Sequence, residues 1–362
     1  MAIRKKPNWK APRIGAAELA LLETLSNASG VSGNEAAIRR IVQEEINGLA
    51  DDVVVDAVGN LLVTKKGRGQ NLPRVMLAAH MDEVGFMITG DDGDGIFRIE
   101  TVGGVDERTL AGKPVWVGEK RQPGVIGAKP VHLTTASERS SALTLDALRI
   151  DLGPASAKKA RVGDWATFAT EFTRVGPSLR GKALDDRLGV TTLITLLKHA
   201  PANIDLLAAF TVQEEIGLRG ARVAGYAMKP DIAIALDCTP AMDLPRWDGS
   251  ENTQYRSKLD GGPAIYVADG STLADPRLVT HLQAVGDAYG IPYQLRQPGS
   301  GGTDAGAIHK TRDGVPSISV SVPARYLHTP AAIARLDDWK NSLALLHAAL
   351  THIDRDLLKG AR

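Results

Sequence analysis

Four apolar runs of this chain each lead into a residue that can ligate a metal or move a proton. In PRVMLAAHMDEVG the run 75–79 leads into His80 and Asp82. In IDLLAAFTVQEEIGLRGA the run 206–212 leads into Glu214 and Glu215, and in DIAIALDCT the run 232–236 leads into Asp237. In VPSISVSVPARYLHTP the run 316–322 leads through a short turn to His328. Short apolar runs without a helical period read as strands buried on both faces. Ligands of open α/β sheets bind beyond the carboxyl ends of such strands. One acidic pair at one strand end would read as a solvated loop; four coincidences favour a site. A fifth piece is GKALDDRLGVTTLITLLKHA, where Asp185 and Asp186 open a helix pattern with Leu188, Thr192 and Leu196 on one side. Acids at a helix N-terminus are favourable in any case, so alone they read as capping residues. Beside the other four pieces, Asp185 becomes a candidate bridging carboxylate.

His80, Asp185, Glu214, Glu215, Asp237 and His328 form an imidazole–carboxylate set that suits zinc, cobalt or manganese. Two ions about 3.5–4 Å apart clamp the attacking and leaving oxygens of a hydrolysis. They need one shared carboxylate and separate ligands for each ion. Six residues can supply these and leave one carboxylate free as general base, taking a proton from the attacking water. Asp82, two residues after His80, is placed to hold the second ring nitrogen of a ligating histidine. Residue types alone leave the ligand assignment open.

The elements that must position these groups are partly readable. VQEEI occurs twice, at 42–46 and at 212–216. Around the first copy, Ile38, Ile41, Val42, Ile46 and Leu49 recur with helical spacing, although Glu45 falls close to the stripe. Ser32 and Glu35 have capping-box spacing, Arg40 and Glu44 are four apart, and Gly48 offers a stop. An amphipathic surface helix is expected there, and catalysis only at the second copy. The middle of the chain is rich in glycine and in short alternating stretches such as IFRIE and WATFAT, which predicts a small inserted β domain. DDGDG at 91–95 lacks EF-hand spacing, since Ile96 stands where a third acid is needed, and is expected to be a hairpin turn. PGSGGTDAGAIH lacks the GK[ST] ending of a Walker loop, but its glycines let backbone approach a ligand. Leu336, Trp339, Leu343, Leu346 and Leu350 give 331–358 the spacing of a covering helix.

The 362 residues suit one large domain or two ordinary ones, and 43% apolar with 23% charged is a globular balance. A net charge of +1 gives no reason to expect nucleic acid or a membrane surface as partner. The basic start MAIRKKPNWKAPR lacks a following apolar stretch, so it is read as a solvated tail rather than a secretory signal. No apolar run reaches the roughly 18 residues of a membrane span. Cys238 is the sole cysteine, which excludes an internal disulfide framework and fits a reducing compartment. The expectation is a soluble, cytoplasmic protein.

AHMDEVGFMI, GKALDDRLGV, FTVQEEIGLRGA, ALDCT, GGTDAGAIH and VPARYLHTP, in this order, resemble the motifs of the tetrahedral aminopeptidases. These are often labelled glutamyl aminopeptidases and in some older cases cellulases. The resemblance runs from about Gly30 to His328 and includes VGGVDERTLAGKPVWV and GVIGAKPVHL. It implies an α/β fold with a mixed central sheet flanked by helices, of the phosphorylase/hydrolase-like kind, with an inserted β-barrel-like dimerisation domain. The catalytic domain would be 1–83 and 177–362, and the inserted domain 84–176. It also implies roles: His80 and Asp237 on one metal, Glu215 and His328 on the other, Asp185 bridging. Glu214 would be the general base, Asp82 would orient His80, the Asp185–Asp186 peptide would be cis, and PGSGGTDAGAIH would line the substrate pocket. The cofactors would be two divalent ions per subunit, zinc or cobalt first and manganese as a further option. The activity would be release of N-terminal residues from short peptides by a homo-oligomer, a tetrahedral dodecamer built from dimers. Thr329 stands where the family usually has serine, Ala324 where threonine is common, and Cys238 where valine is more usual; none is a ligand. The alternative is an N-acyl amino acid deacylase or other hydrolase using the same dinuclear site, since the superfamily shares it. A glycan substrate lacks a row of aromatics among the five Trp, six Tyr and five Phe. A non-catalytic scaffold would lack a ligand or the base, and none is lacking.

Overall fold

The four runs that lead into candidate ligands are strands, and they are neighbours. The computed structural model describes residues 3–154, 156, 159–250, 257–296 and 298–359. The chain opens with α1 (Ala16–Asn27), α2 (Ala36–Glu45), β1 (Asp52–Val55), β2 (Leu61–Lys65) and β3 (Arg74–His80). Then come β4 (Gly85–Gly93), β5 (Ile96–Val102), β6 (Pro114–Val117), β7 (Gln122–Ala128), the short α3 (Ala136–Ser140), β8 (Leu148–Asp151) and β9 (Trp165–Phe168). They are followed by β10 (Thr173–Val175), β11 (Ser178–Gly181), α4 (Leu184–Lys198), β12 (Asp205–Thr211), α5 (Arg219–Met228) and β13 (Ile232–Pro240). The chain continues with β14 (Ala264–Tyr266), α6 (Pro276–Tyr289), β15 (Gln294–Arg296), α7 (Ala305–Ile308), β16 (Ser317–Arg325), β17 (Ala332–Arg335) and α8 (Leu336–Leu350).

The main sheet is mixed, in the order β1-β2-β12-β3-β13-β16-β17-β11-β10, with β14 and β15 branching from β16. Its centre, β12-β3-β13-β16, is parallel throughout, so the carboxyl ends of these strands share one edge. The runs are apolar without alternation because helices cover both faces. Val75, Leu77, Leu206, Phe210, Ile234 and Val320 face the large core formed with α1, α2, α4, α6 and α8. Met76, Ala78, Leu207, Ala209 and Ala233 face a second core with α5 and α7. Trp339 of α8 is fully buried, and its indole N–H donates to Thr192 of α4 at 2.8 Å.

Between β3 and β10 the chain closes into a six-stranded antiparallel barrel, β4-β5-β8-β7-β6-β9. Its core is its own, with Phe86 and Phe168 meeting edge to face at 5.4 Å. DDGDG ends β4 with its first three residues and turns the β4–β5 hairpin at Asp94 and Gly95. Glu83, at the root of the barrel, is tied four ways. It accepts from Gly30 N at 2.9 Å and from Thr167 of β9 at 2.9 Å. It also pairs with Lys182 at 2.5 Å and stands 3.5 Å from Arg187.

Two local expectations give way to tertiary partners. Helix α2 forms with Ile38 and Val42 buried, and Glu45 pairs with Lys198 at 3.1 Å. The capping box does not form: Ser32 donates instead to Asp82 at 2.6 Å, and Glu35 accepts from Gly33 N and Gln213 N. Both side chains serve the site rather than the helix end. The segment expected as one covering helix from 331 begins as strand β17, because its backbone pairs with both β16 and β11.

Candidate active site

At the shared carboxyl edge, β3 ends on His80 and β13 carries Asp237. Glu214 and Glu215 lie three and four residues past β12, and His328 three past β16. The loops that deliver them include Gln213 (φ 57°) and His328 (φ 58°) in the left-handed region, which costs a side-chain-bearing residue about 1–2 kcal/mol. Asp185 and Asp186 divide their work. Asp186 is fully buried and its Oδ1 accepts from Gly189 N at 2.9 Å, which caps the regular part of α4 that follows the non-helical backbone at Asp185 and Asp186. Asp185 turns toward the sheet edge, and the peptide between the two is cis.

Asp185 stands in the middle of the cluster. Its Oδ1 is 3.2 Å from His80 Nε2, which is itself 3.9 Å from Asp237. Its Oδ2 is 3.5 Å from His328 Nε2, which is 3.3 Å from Glu215. Neighbouring ligands on a tetrahedron around a zinc-sized ion, each about 2.1 Å from it, stand roughly 3.4 Å apart. These separations are those of donors that could share a divalent ion, and His80, Asp185 and Glu215 offer ligand atoms within 4.8 Å of one another. His80 Nδ1 faces the Asp82 carbonyl at 3.2 Å and the Asp82 carboxylate at 3.5 Å. With that N–H donating, the lone pair of Nε2 aims at Asp185 and Asp237. Asp82 also accepts from Glu214 N at 3.0 Å and Glu215 N at 3.1 Å.

The electrostatics show a pocket that demands positive charge. Burial pushes Asp237 well up, with Asp185 adding repulsion. Burial also pushes Glu214 well up against the pull of His80, and Asp304 and Glu215 raise it further. Glu215 is raised by burial too. Burial alone would lower both histidines, but hydrogen bonds to Asp185 and Asp82 raise His80, and Asp185 and Glu215 raise His328 to about 11. Asp185 itself is lowered: burial opposes its charge, but His328 and His80 hold it ionised. Carboxylates crowded at this density need cations to stay charged.

The cluster lines a cavity of about 770 Å³. Ser300, Gly301 and Gly302 of the glycine-rich segment border it. Gly104 of the barrel also reaches it, where an added Cβ would stand 3.5 Å from His328 Nδ1. Three residues here had not been singled out from the sequence. Asp304 is buried, accepts a hydrogen bond from Thr211, and is pushed up to about 6 by burial. Arg296 lies over the Tyr266 ring at 4.3 Å and donates to Thr239 and to Ser300 O, tying that loop to β13. The GGTDAGAIH motif was the available signal for Asp304; Arg296 and Tyr266 carried none.

Comparison with known proteins shows the family of this fold. The family description "M42 glutamyl aminopeptidase" matches residues 59–345. This chain belongs to the M42 glutamyl aminopeptidase family. One relative, a putative aminopeptidase of Acetivibrio thermocellus, is 39% identical over 91% of this chain and 97% of its own length. An aminopeptidase structure from Desulfurococcus kamchatkensis is 32% identical, covers 95% of this chain and 98% of that one, and has a TM-score of 0.89. A TET1 peptidase structure from Pyrococcus horikoshii, described as able to assemble into a tetrahedron or a large octahedral shell, is 33% identical over 93% of this chain and 100% of that one, with a TM-score of 0.81. These names favour peptide hydrolysis over the deacylase alternative. Cys238, next to Asp237 in the chain, is buried. Its thiol donates to Leu184 O at 3.3 Å, and burial pushes it well up, so it is a neutral thiol. Among the described residues no helix is long and apolar enough to cross a membrane.

Proposed function

We propose that this M42 enzyme releases N-terminal residues from short peptides at a centre where Asp185 would be shared between two divalent ions. The observation that carries the reading is that the two oxygens of Asp185 face different partners, one the His80–Asp237 pair and the other the Glu215–His328 pair. His80 and Asp237 would hold one ion, Glu215 and His328 the other, with zinc or cobalt first and manganese as a further option. Bound ions supply Lewis-acid polarisation of the scissile carbonyl and acidify the attacking water. Glu214 is the general base: its burial and acidic neighbours raise its proton affinity, so it can take the water's proton and pass it to the leaving amine. Asp82 fixes the His80 ring and, through the two amides, the positions of Glu214 and Glu215.

The barrel is the dimerisation domain, 84–176 against 1–83 and 177–362. Dimers build a tetrahedral dodecamer, as the similarity to the Pyrococcus horikoshii peptidase suggests, and the enzyme works in the cytoplasm. The decisive experiment uses one peptide series with free and acetylated N-termini, with added zinc or cobalt and after chelation. Metal-dependent release of the first residue from free peptides only is expected. Cleavage of the acetylated peptides instead would move the enzyme to the deacylases.

A further inference from the structure

Beside the candidate active site lies a second cavity of about 830 Å³, between α5 and the segment 306–312. Arg219, Arg222, Lys310 and Arg312 line it, and no acidic side chain does. All four cations are exposed, and among the described residues none has an ion-pair partner. With 43 basic and 42 acidic residues in the whole chain, this is a local excess and not a general basicity. Tyr226 stands 63% exposed at the centre, with the Arg312 guanidinium 5.3 Å from its ring.

The two cavities share a wall. Gly217 and Leu218 line both, and the amides of both donate to the Glu214 carbonyl at 2.9 Å. The ridge between the cavities is thus the turn that carries the general base. On one side of it lies an acidic pocket, on the other a basic one. A free peptide has the same polarity, an ammonium at its start and a carboxylate at its end.

We propose that the basic cavity binds the downstream, carboxylate-bearing part of a peptide whose first residue sits at the His80–His328 centre. This rests on reading that centre as the aminopeptidase site. Substrates with an acidic side chain or a free C-terminal carboxylate a few residues past the scissile bond are then cleaved preferentially. Salt weakens the preference, because the cations are exposed.

The test measures kcat/KM on oligoalanine peptides with free or amidated C-termini, and with one glutamate moved along the chain. Peptides with a well-placed carboxylate should be favoured about threefold to tenfold at low salt, the range that one or two exposed charge contacts support. Arg222→Gln combined with Lys310→Gln should bring the ratio close to one. Equal kcat/KM for all peptides, or a ratio unchanged in the double variant, overturns the proposal. So does a double variant that only changes the oligomer's sedimentation, which would assign the face to a second copy of the chain. Binding of a fluorescent acidic peptide to the chelated protein gives a readout independent of turnover, and it should weaken in the same variant. Absence of metal-dependent release from every peptide would sink the aminopeptidase reading, while this binding measurement still decides the basic cavity.

Discussion

Replacing Asp82 by asparagine exchanges one oxygen for an amide nitrogen, and neither orientation of that amide suits the site. Oδ1 accepts from Glu214 N at 3.0 Å and lies 3.5 Å from His80 Nδ1. Oδ2 accepts from Ser32 Oγ at 2.6 Å and Glu215 N at 3.1 Å. An amide nitrogen at the first position faces the Glu214 N–H. At the second position the Ser32 hydroxyl can rotate to accept, but the Glu215 N–H then faces a donor. Either way one buried backbone donor loses its acceptor, about 1–3 kcal/mol. The remaining bonds lose their anionic acceptor, which roughly doubles the strength of such bonds. Together these predict about 2–4 kcal/mol of lost stability. Groups that orient a metal-binding histidine typically matter by about 10–100-fold in metal affinity or activity. Denaturant unfolding, metal titration and kcat/KM at saturating metal would measure each part. An Asp82→Asn protein with wild-type metal affinity and kcat/KM, and stability unchanged to about 0.5 kcal/mol, would refute the role given to Asp82.

Glu214→Gln keeps the shape and removes the proposed base, so kcat should fall by roughly 10²–10⁴ while metal content, read by elemental analysis, stays unchanged. Chelation should lower the melting temperature, because the crowded carboxylates lose their counter-charge; saturation at about 100 times Kd contributes roughly 2.7 kcal/mol. A melting curve unaltered by chelation and re-addition would contradict the dinuclear reading. His281 of α6 is buried, with its ring nitrogen 3.1 Å from Ala349 O, and burial lowers its pKa below 6.5. The unfolded chain therefore takes up this proton first, so the stability His281 contributes is complete above pH 6.5 and is lost as pH falls below it. Unfolding titrations at pH 5 and 7, at fixed protein concentration, should show a smaller acid loss in His281→Gln than in the wild type.

The parts of the site carried by the sheet were legible because burial on both faces forces continuous apolar runs, and Val75–Ala79 or Leu206–Thr211 can do little else. Asp185 was legible only by company, since Asp186 beside it does cap the helix as a lone acidic pair would. Glu35 misled because a local capping pattern cannot reveal that the Gln213 amide, far along the chain, takes its carboxylate. Strand β17 was hidden for the same reason: Ala332–Arg335 is short, and its pairing with β11 is a property of the folded sheet. Arg296 and Tyr266 meet only after β14 and β15 pair, so neither run marks them in advance.

The barrel begins at Gly85, five residues after His80, and a buried ion pair between Glu83 and Lys182 rivets the seam. Lys182 in turn is three residues before Asp185. A mechanical load on the barrel therefore reaches His80 and Asp185, the proposed ligands, without crossing a flexible tether. Any neighbour that grips the barrel acts on a short lever whose other arm is the centre itself. A graft of a foreign barrel at these two junctions would have to preserve the rivet, and a deletion of 85–168 would take Thr167 from the buried Glu83 carboxylate.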